Sequence, residues 1–186
     1  VYGNRAESVQ EYAFIATFCA CLDIPLKVYK IEYLRRDTSE REFYEEMTRQ
    51  IRFMVYKVAA PGQSILLGHI SEDVIENIWT NIATVQHLHN LKKMSAVEEQ
   101  LGVTLVRPFL EQEKETVYAA SKALAVPYLK NTTPSWSNRG KFREHFHGAL
   151  KAQYGPEVDK KIIKFAETIS KQAETIDRIL FQPMYN

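Results

Sequence analysis

The sequence predicts an α/β fold: an open, mostly parallel sheet with flanking helices, followed by C-terminal helices. Three observations carry this expectation. Short apolar runs alternate with helical stretches of a dozen or more residues, the pattern of right-handed β–α–β crossovers. The run Ile65-Leu66-Leu67, between Ser64 and Gly68, has no polar face, as a strand buried on both sides requires. The 186 residues are 45% hydrophobic and 25% charged, enough apolar side chain for one substantial core without a disulfide staple.

In chain order, Glu7 to Leu22 reads as a helix apolar on nearly every face (Ala13, Phe14, Ile15, Phe18), as expected for a helix packed on a sheet. Asp23-Ile24-Pro25 stops it, because proline disfavours the α region in the residue before it. Leu26 to Tyr33 reads as a strand. Ser39 caps a long helix to Ala60, with Phe43, Met47, Ile51, Met54, Val55 and Val58 at helical spacing. Pro61-Gly62 ends it before the apolar strand 64–68. Ser71 caps a helix running to Ala83, and residues 85–100 show no clear period. Val103 to Val106 is a strand closed by Arg107-Pro108, and Glu113 to Ala125 a helix. Pro127 to Gly140, with two each of proline, threonine, serine and asparagine, is a loop. Helices Lys141–Tyr154 and Glu157–Leu180, parted by Gly155-Pro156, complete the chain. Ile162, Phe165, Ile169, Ile176 and Leu180 on the last one serve either internal packing or a second subunit in a homo-oligomer.

Charge and cysteine content exclude several classes. With 24 basic and 23 acidic side chains the net charge is +1, so any nucleic-acid surface must be local. Cys19 and Cys21, two apart in an apolar run, fit buried, reduced thiols, and no CxxC pattern offers a zinc or iron–sulfur site. His87-x-His89 and His145-x-His147 lack a third ligand at metal-binding spacing, so no metal-ligating residue is assigned. No transmembrane span or signal peptide is read, and the expected location is cytoplasmic.

In open sheets ligands sit beyond the carboxyl ends of strands, which directs attention to Arg35-Arg36, Gly68-His69 and Arg107-Pro108. His69 leaves a strand beside a helix amino terminus, whose free N–H groups favour anions. Glu72, Asp73 and Glu76 crowd the first turns of that helix. They either complement its dipole or form a site for a cation or an amine. Between Tyr128 and Lys151, Lys130, Arg139, Lys141, Arg143 and Lys151 face one acid, Glu144, with Trp136, Phe142, His145 and Phe146 interleaved. Arginine with aromatics suits phosphate pairing and base stacking; a solvated basic helix end is the plainer alternative. Arg49 and Arg52, three apart on the long helix, read by themselves as surface cations.

Taken in order, these segments resemble the PP-loop ATPases (N-type ATP pyrophosphatases), most closely the tRNA(Ile)-lysidine synthetase and tRNA 2-thiocytidine synthetase branch. The family's H-x-x-D-D-x-x-E-T resembles His69-Ile70-Ser71-Glu72-Asp73-Val74-Ile75-Glu76-Asn77. Its A-R-x-x-R-Y/F resembles Thr48-Arg49-Gln50-Ile51-Arg52-Phe53, and its L-x-G-M resembles Leu91-Lys92-Lys93-Met94, with lysine where glycine is usual. Arg107-Pro108-Phe109-Leu110 with Lys114 and Glu115 resembles its R-P-L-L segment, and Arg139-Gly140-Lys141-Phe142-Arg143 its late R-N-x-x-R. The likeness spans roughly residues 1 to 145. The first aspartate of the pair is here Glu72, and the threonine is Asn77.

The family's S-G-G-x-D-S phosphate loop has no counterpart in the sequence, whose opening Val1-Tyr2-Gly3-Asn4-Arg5 resembles the end of the family's second strand. The expectation is a polypeptide extending upstream, or another segment or chain that completes the sheet. The resemblance implies a Rossmann-like sheet of the adenine nucleotide alpha hydrolase type. It implies a nucleotide-binding domain over residues 1–128 and a basic loop with a helical extension over 129–186. It implies a ligase-type enzyme using ATP and Mg²⁺ to adenylate a tRNA base carbonyl, with a nucleophile then displacing AMP. Under it, Asp73, Glu76, Arg139 and Arg143 are catalytic, and His69, Arg49 and Arg52 bind the nucleotide. Lys130, Trp136 and Lys141 contact tRNA. A non-catalytic nucleotide- or RNA-binding descendant is the alternative, and a small-molecule amide synthetase a third reading that the basic aromatic loop disfavours.

Overall fold

The computed structural model describes residues 7–31, 34, 40–87, 89–130 and 132–185. The chain divides into two compact units, Val1–Ile65 with Glu99–Thr104, and Leu66–Glu98 with Leu105–Asn186. Expectations for Val1 to Arg5, Tyr33, Arg35-Arg36 and Ser39 lie outside the described residues.

The first unit contributes helices α1 (Glu7–Cys21) and α2 (Arg41–Ala59). Its core joins Ile31, Leu34 and Ile51, with Tyr44, Met47 and Val55 packed against them, so the apolar stripe of α2 is the buried face its spacing predicts. α1 differs from expectation. No described strand covers it: among the described residues Val9, Tyr12 and Ile15 are exposed, Cys21 is exposed and Cys19 half-buried, both as free thiols. Residues 26–30 carry no regular secondary structure and Ile31 makes an isolated bridge, so the strand predicted there does not form among the described residues. The alternation of Leu26 and Val28 needs a partner edge to become a strand, and both side chains stay exposed.

Three strands form a mixed sheet in the order β1-β3-β2: β1 (Ile65–Leu66), β2 (Val97–Gln100) and β3 (Val103–Val106). β3 stands where the sequence places it, with Val103 and Leu105 buried. β2 lies in a stretch expected to be irregular. A two-residue turn creates it, with Leu101 at φ 50° and Gly102 at φ 71°, both left-handed, which turns the chain back as a hairpin. This antiparallel pair departs from a mostly parallel sheet. The strand expected over 64–68 narrows to two residues, and Leu66 is exposed rather than buried.

The second unit is built around α3 (Ser71–Ala83). Val74, Ile75 and Ile78 are fully buried; Val74 and Ile78 join Leu91, Leu110 and Ala166 in one core, with Met94, Ile162 and Ile163 against it. Asn77 and Asn81 on α3 donate to the carbonyls of Lys92 and Leu91, both at 2.8 Å, and so tie down the irregular segment beside them. After α4 (Lys114–Ala123), one helical run extends from Asn138 to Tyr154: α5 (Asn138–Lys141), a π-wound segment Phe142–His147, and α6 (Gly148–Tyr154). α7 (Val158–Ile176) packs on α3 through Ile162, Ile163 and Ala166. Phe165, Ile176 and Leu180 of its predicted stripe are exposed. A second π-wound turn, Asp177–Phe181, and α8 (Gln182–Tyr185) follow. No helix among the described residues is long and apolar enough to cross a membrane.

Candidate active site

The site grows from the amino end of α3. The chain enters that helix through Ile70, whose N–H donates to Asp73 Oδ2 at 3.0 Å, so one oxygen of Asp73 caps the helix and the other is left to face outward. Three residues on, Glu76 is on the same side and only 5% exposed. A buried carboxylate carries a desolvation cost of several kcal/mol unless cations and donors surround it.

Those cations come from α5 and the π-wound segment. Arg143 Nη2 lies 3.3 Å from Asp73 Oδ1, and its Nε donates to Glu76 Oε1. Arg143 also donates to Thr133 Oγ1 at 3.4 Å. Arg139 Nε is 3.0 Å from Glu76 Oε2 and its Nη2 3.6 Å from Asp73 Oδ1. The Arg139–Glu76 contact is an ion pair by distance but not a hydrogen bond by direction, and Glu76 Oε2 is buried without a donor. Two carboxylates and two guanidiniums thus form a neutral cluster with one acceptor unused.

Local sequence sets this geometry. Ser137 Oγ accepts the N–H of Gly140 at 2.9 Å and donates to the carbonyl of Pro134 at 2.7 Å, which caps α5 and folds the loop onto it. Gly140 is buried where that loop crosses. A Cβ there would overlap Pro134 O and lie 2.8 Å from Ser135 Cα. Its missing side chain is what lets the loop backbone approach the helix that carries both arginines.

A cavity of about 440 Å³ opens beside the cluster, lined by Glu76, Trp79, Arg139, Phe142 and Phe146 among others. Trp79 meets Phe146 edge-on with ring centroids 5.0 Å apart, and its indole N–H is buried without a partner. Trp79 was not singled out in the sequence; its place one turn after Glu76 is the signal that could have found it.

His69 accepts from Arg107 Nε at 3.2 Å through Nδ1, so the ring is a neutral imidazole with its proton on Nε2. Arg107 is buried and held by Ser95 O at 2.8 Å and Glu98 at 2.9 Å. Sequence reading marked Arg107 as a strand end, not as the residue that fixes the His69 tautomer. Glu72 turns away from the cluster: it accepts the N–H of Lys114 at 3.0 Å and caps α4.

Among the remaining candidates, Arg49 faces Glu46 at 3.4 Å and sits 5.6 Å from the Phe53 ring on α2, and Arg52 is exposed. Both belong to the first unit, the acid–arginine cluster to the second. Lys130 lies 5.8 Å over the Tyr118 ring, and Trp136 and Lys141 are exposed. No three histidine, cysteine or acidic side chains converge on a metal position among the described residues. His147 instead pairs with Asp159 at 2.8 Å, and His87 with Lys93 at 2.6 Å. Burial, then the nearby Lys93 and His89, pushes the His87 ring below its ordinary pKa.

A family profile described as a PP-loop domain matches residues 2–144. Among curated proteins, a tRNA(Ile)-lysidine synthase of Chlamydia muridarum is 27% identical over 183 residues, covering 95% of this chain and 56% of its own length. A tRNA(Ile)-lysidine synthase of Lactococcus lactis is 24% identical over 96% of this chain and 38% of its own length. A protein of Listeria innocua described as bifunctional TilS/HprT is 23% identical, over 94% of this chain and 28% of its length. The chain spans about half the length, or less, of these relatives.

Proposed function

The chain belongs to the PP-loop domain family, and from that premise we propose that its full-length protein is an ATP-dependent, tRNA-modifying ligase of the lysidine-forming kind. ATP adenylates a base carbonyl oxygen and pyrophosphate leaves; an amine, lysine by analogy with the relatives, then attacks that carbon and expels AMP. The observation that carries this reading is the neutral cluster of Asp73, Glu76, Arg139 and Arg143 at the edge of an aromatic cavity.

Its charge balance suits exchange of partners. An incoming lysine docks as an ammonium on the carboxylates, beginning with the unused Glu76 Oε2, while its methylene stem lies on Trp79 and Phe142, and it gives a proton to a carboxylate there before its freed nitrogen lone pair attacks. The guanidiniums so released turn to phosphate oxygens, where fixed positive charge stabilises what develops on the α-phosphate. The carboxylates do not fit a magnesium cage. Each already faces a guanidinium, whereas Mg²⁺ calls for near-octahedral oxygen coordination, so no step is assigned to protein-bound metal. In this reading His69, as a neutral imidazole, borders the nucleotide, and Arg49 and Arg52 support nucleotide or RNA backbone. Lys130, Trp136 and Lys141 contact tRNA. Residues 1–128 form the nucleotide-binding part, and 129–186 bring up the arginines and the basic surface.

The test is tRNA-dependent release of AMP and pyrophosphate from ATP by the full-length protein. Asp73→Ala is expected to lower turnover by on the order of a hundredfold or more. Undiminished turnover without the Asp73 carboxylate overturns the assignment.

A further inference from the structure

Four basic residues of the helical run from Asn138 to Tyr154 are regularly spaced. Arg139, Arg143, His147 and Lys151 recur every fourth residue. The first two meet the acids of α3. The last two meet one acid of α7: His147 Nε2 lies 2.8 Å and Lys151 Nζ 3.0 Å from Asp159 Oδ2, and the side chains of His147 and Asp159 are 13% and 14% exposed. α7 is in turn fixed on α3, with Ala166 fully buried in the same core as Val74 and Ile78. The run is therefore pinned at both ends of one stripe to two helices that are packed together.

Between the pins lies the π-wound segment Phe142–His147. Ideal α winding advances a residue four places on by about 40° beyond a full turn. Wider π winding changes that angle, so rewinding the segment rotates Arg139 and Arg143 relative to His147. π turns are rare and concentrate at functional sites. Phe146, within the segment, rests on Trp79 of α3 and lines the cavity, so the winding also sets the cavity wall.

We propose that Asp159 is a positioning residue: through His147 and Lys151 it holds the winding of residues 142–147 and thereby aims Arg139 and Arg143 at Asp73 and Glu76. This rests on the reading of that cluster as the reacting site, but its structural half is measured without activity. The indole N–H resonance of Trp79, identified by Trp79→Phe, reports the position of Phe146 through its ring current. In the full-length protein, Asp159→Ala is expected to shift that resonance and lower kcat by on the order of tenfold to a hundredfold, with KM for ATP little changed. Asp159→Glu is expected to restore both in large part. Should Asp159→Ala fail to fold, Lys151→Met, which removes one of the two contacts, decides in its place, with smaller changes in the same direction. An unmoved Trp79 resonance overturns the proposal whatever the rate does, and so does a moved resonance with an unchanged rate. If Asp73→Ala keeps full turnover, the functional reading falls, and the Trp79 signal still tests whether Asp159 controls the winding.

Discussion

Two arginine pairs in this chain look alike in sequence, each about one helical turn apart and each beside phenylalanine: Arg49 and Arg52 near Phe53, and Arg139 and Arg143 near Phe142 and Phe146. The structure separates them by what they face. Arg49 meets Glu46, and both remain largely in water, so the pair is screened and adds little. Glu46 sits below the ordinary carboxylate pKa chiefly through its hydrogen bond from Gln50, with Arg49 a lesser influence. Arg143 meets Glu76, whose side chain is 5% exposed. The arginine is there a condition for burying the acid. The worth of a cation is set by the desolvation of its partner, and spacing alone does not reveal that.

The largest break of this contrast is Gly140→Ala. Its Cβ would overlap the carbonyl of Pro134, backbone that cannot swing aside as a flexible side chain would. The loop or the helix must shift, at a cost of about 2–3 kcal/mol, and the shift carries both arginines off their acids. The expected result is a lower urea midpoint together with loss of activity. The matching change on α2, Gln50→Ala at an exposed position, is expected to move stability by less than about 0.5 kcal/mol. A Gly140→Ala protein as stable as the parent removes the close approach from the account.

Next in size is the asymmetry between the partners. Arg143→Ala leaves Glu76 buried with only the misaligned Arg139 and is expected to cost about 2–3 kcal/mol. Arg49→Ala leaves a hydrated glutamate and should leave stability almost unchanged. Double-mutant cycles sharpen this. The Arg143–Glu76 coupling energy is expected at roughly 1.5–3 kcal/mol and nearly insensitive to salt. For Arg49–Glu46 it is expected to be far smaller and lost at 1 M salt. Equal couplings would show that burial does not distinguish the two pairs.

The same physics explains which parts could be read beforehand. α3 was legible because apolar periodicity and an acidic first turn agree, and β3 because Val103 to Val106 is apolar and closed by Arg107-Pro108. β2 was hidden, since Val97-Glu98-Glu99-Gln100 has one apolar residue and its pairing depends on the Leu101-Gly102 turn. The strand expected at 26–33 does not form among the described residues, for the opposite reason: Leu26 and Val28 have apolar character but stay exposed. For the site, the motifs named Asp73, Glu76, Arg139 and Arg143, and the structure brings these four together. They could not assign Glu72 to the cap of α4, Arg107 to His69, or the winding at 142–147, because each depends on a residue brought close by tertiary packing rather than by chain position.

The last effect in the series tests Asp159, intermediate between the two pairs in exposure. Burial raises its pKa, but hydrogen bonds from His147 and Lys151, and the attraction of both, outweigh burial and hold it below the ordinary 3.8. Burial likewise lowers Lys151, and the Asp159 hydrogen bond with attraction from Asp159, Glu72 and Glu115 raises it above the ordinary 10.5. A depressed carboxylate adds stability that is complete above its unfolded pKa and lost as pH falls through the folded value. A raised ammonium adds stability that is complete below its unfolded pKa and lost as pH rises through the folded one. The contact is therefore expected to stabilise across a plateau bounded by acid below about pH 4 and alkali above about pH 10, by roughly 1 kcal/mol for so partly exposed a pair. Stabilities of the parent and Asp159→Asn from urea unfolding should differ by that amount near pH 7 and converge in stronger acid, at a pH below the lowered pKa of the folded aspartate. Stabilities that stay equally far apart at both pH values would mean that Asp159 contributes through packing and not through its charge, which would move it out of the company of Glu76.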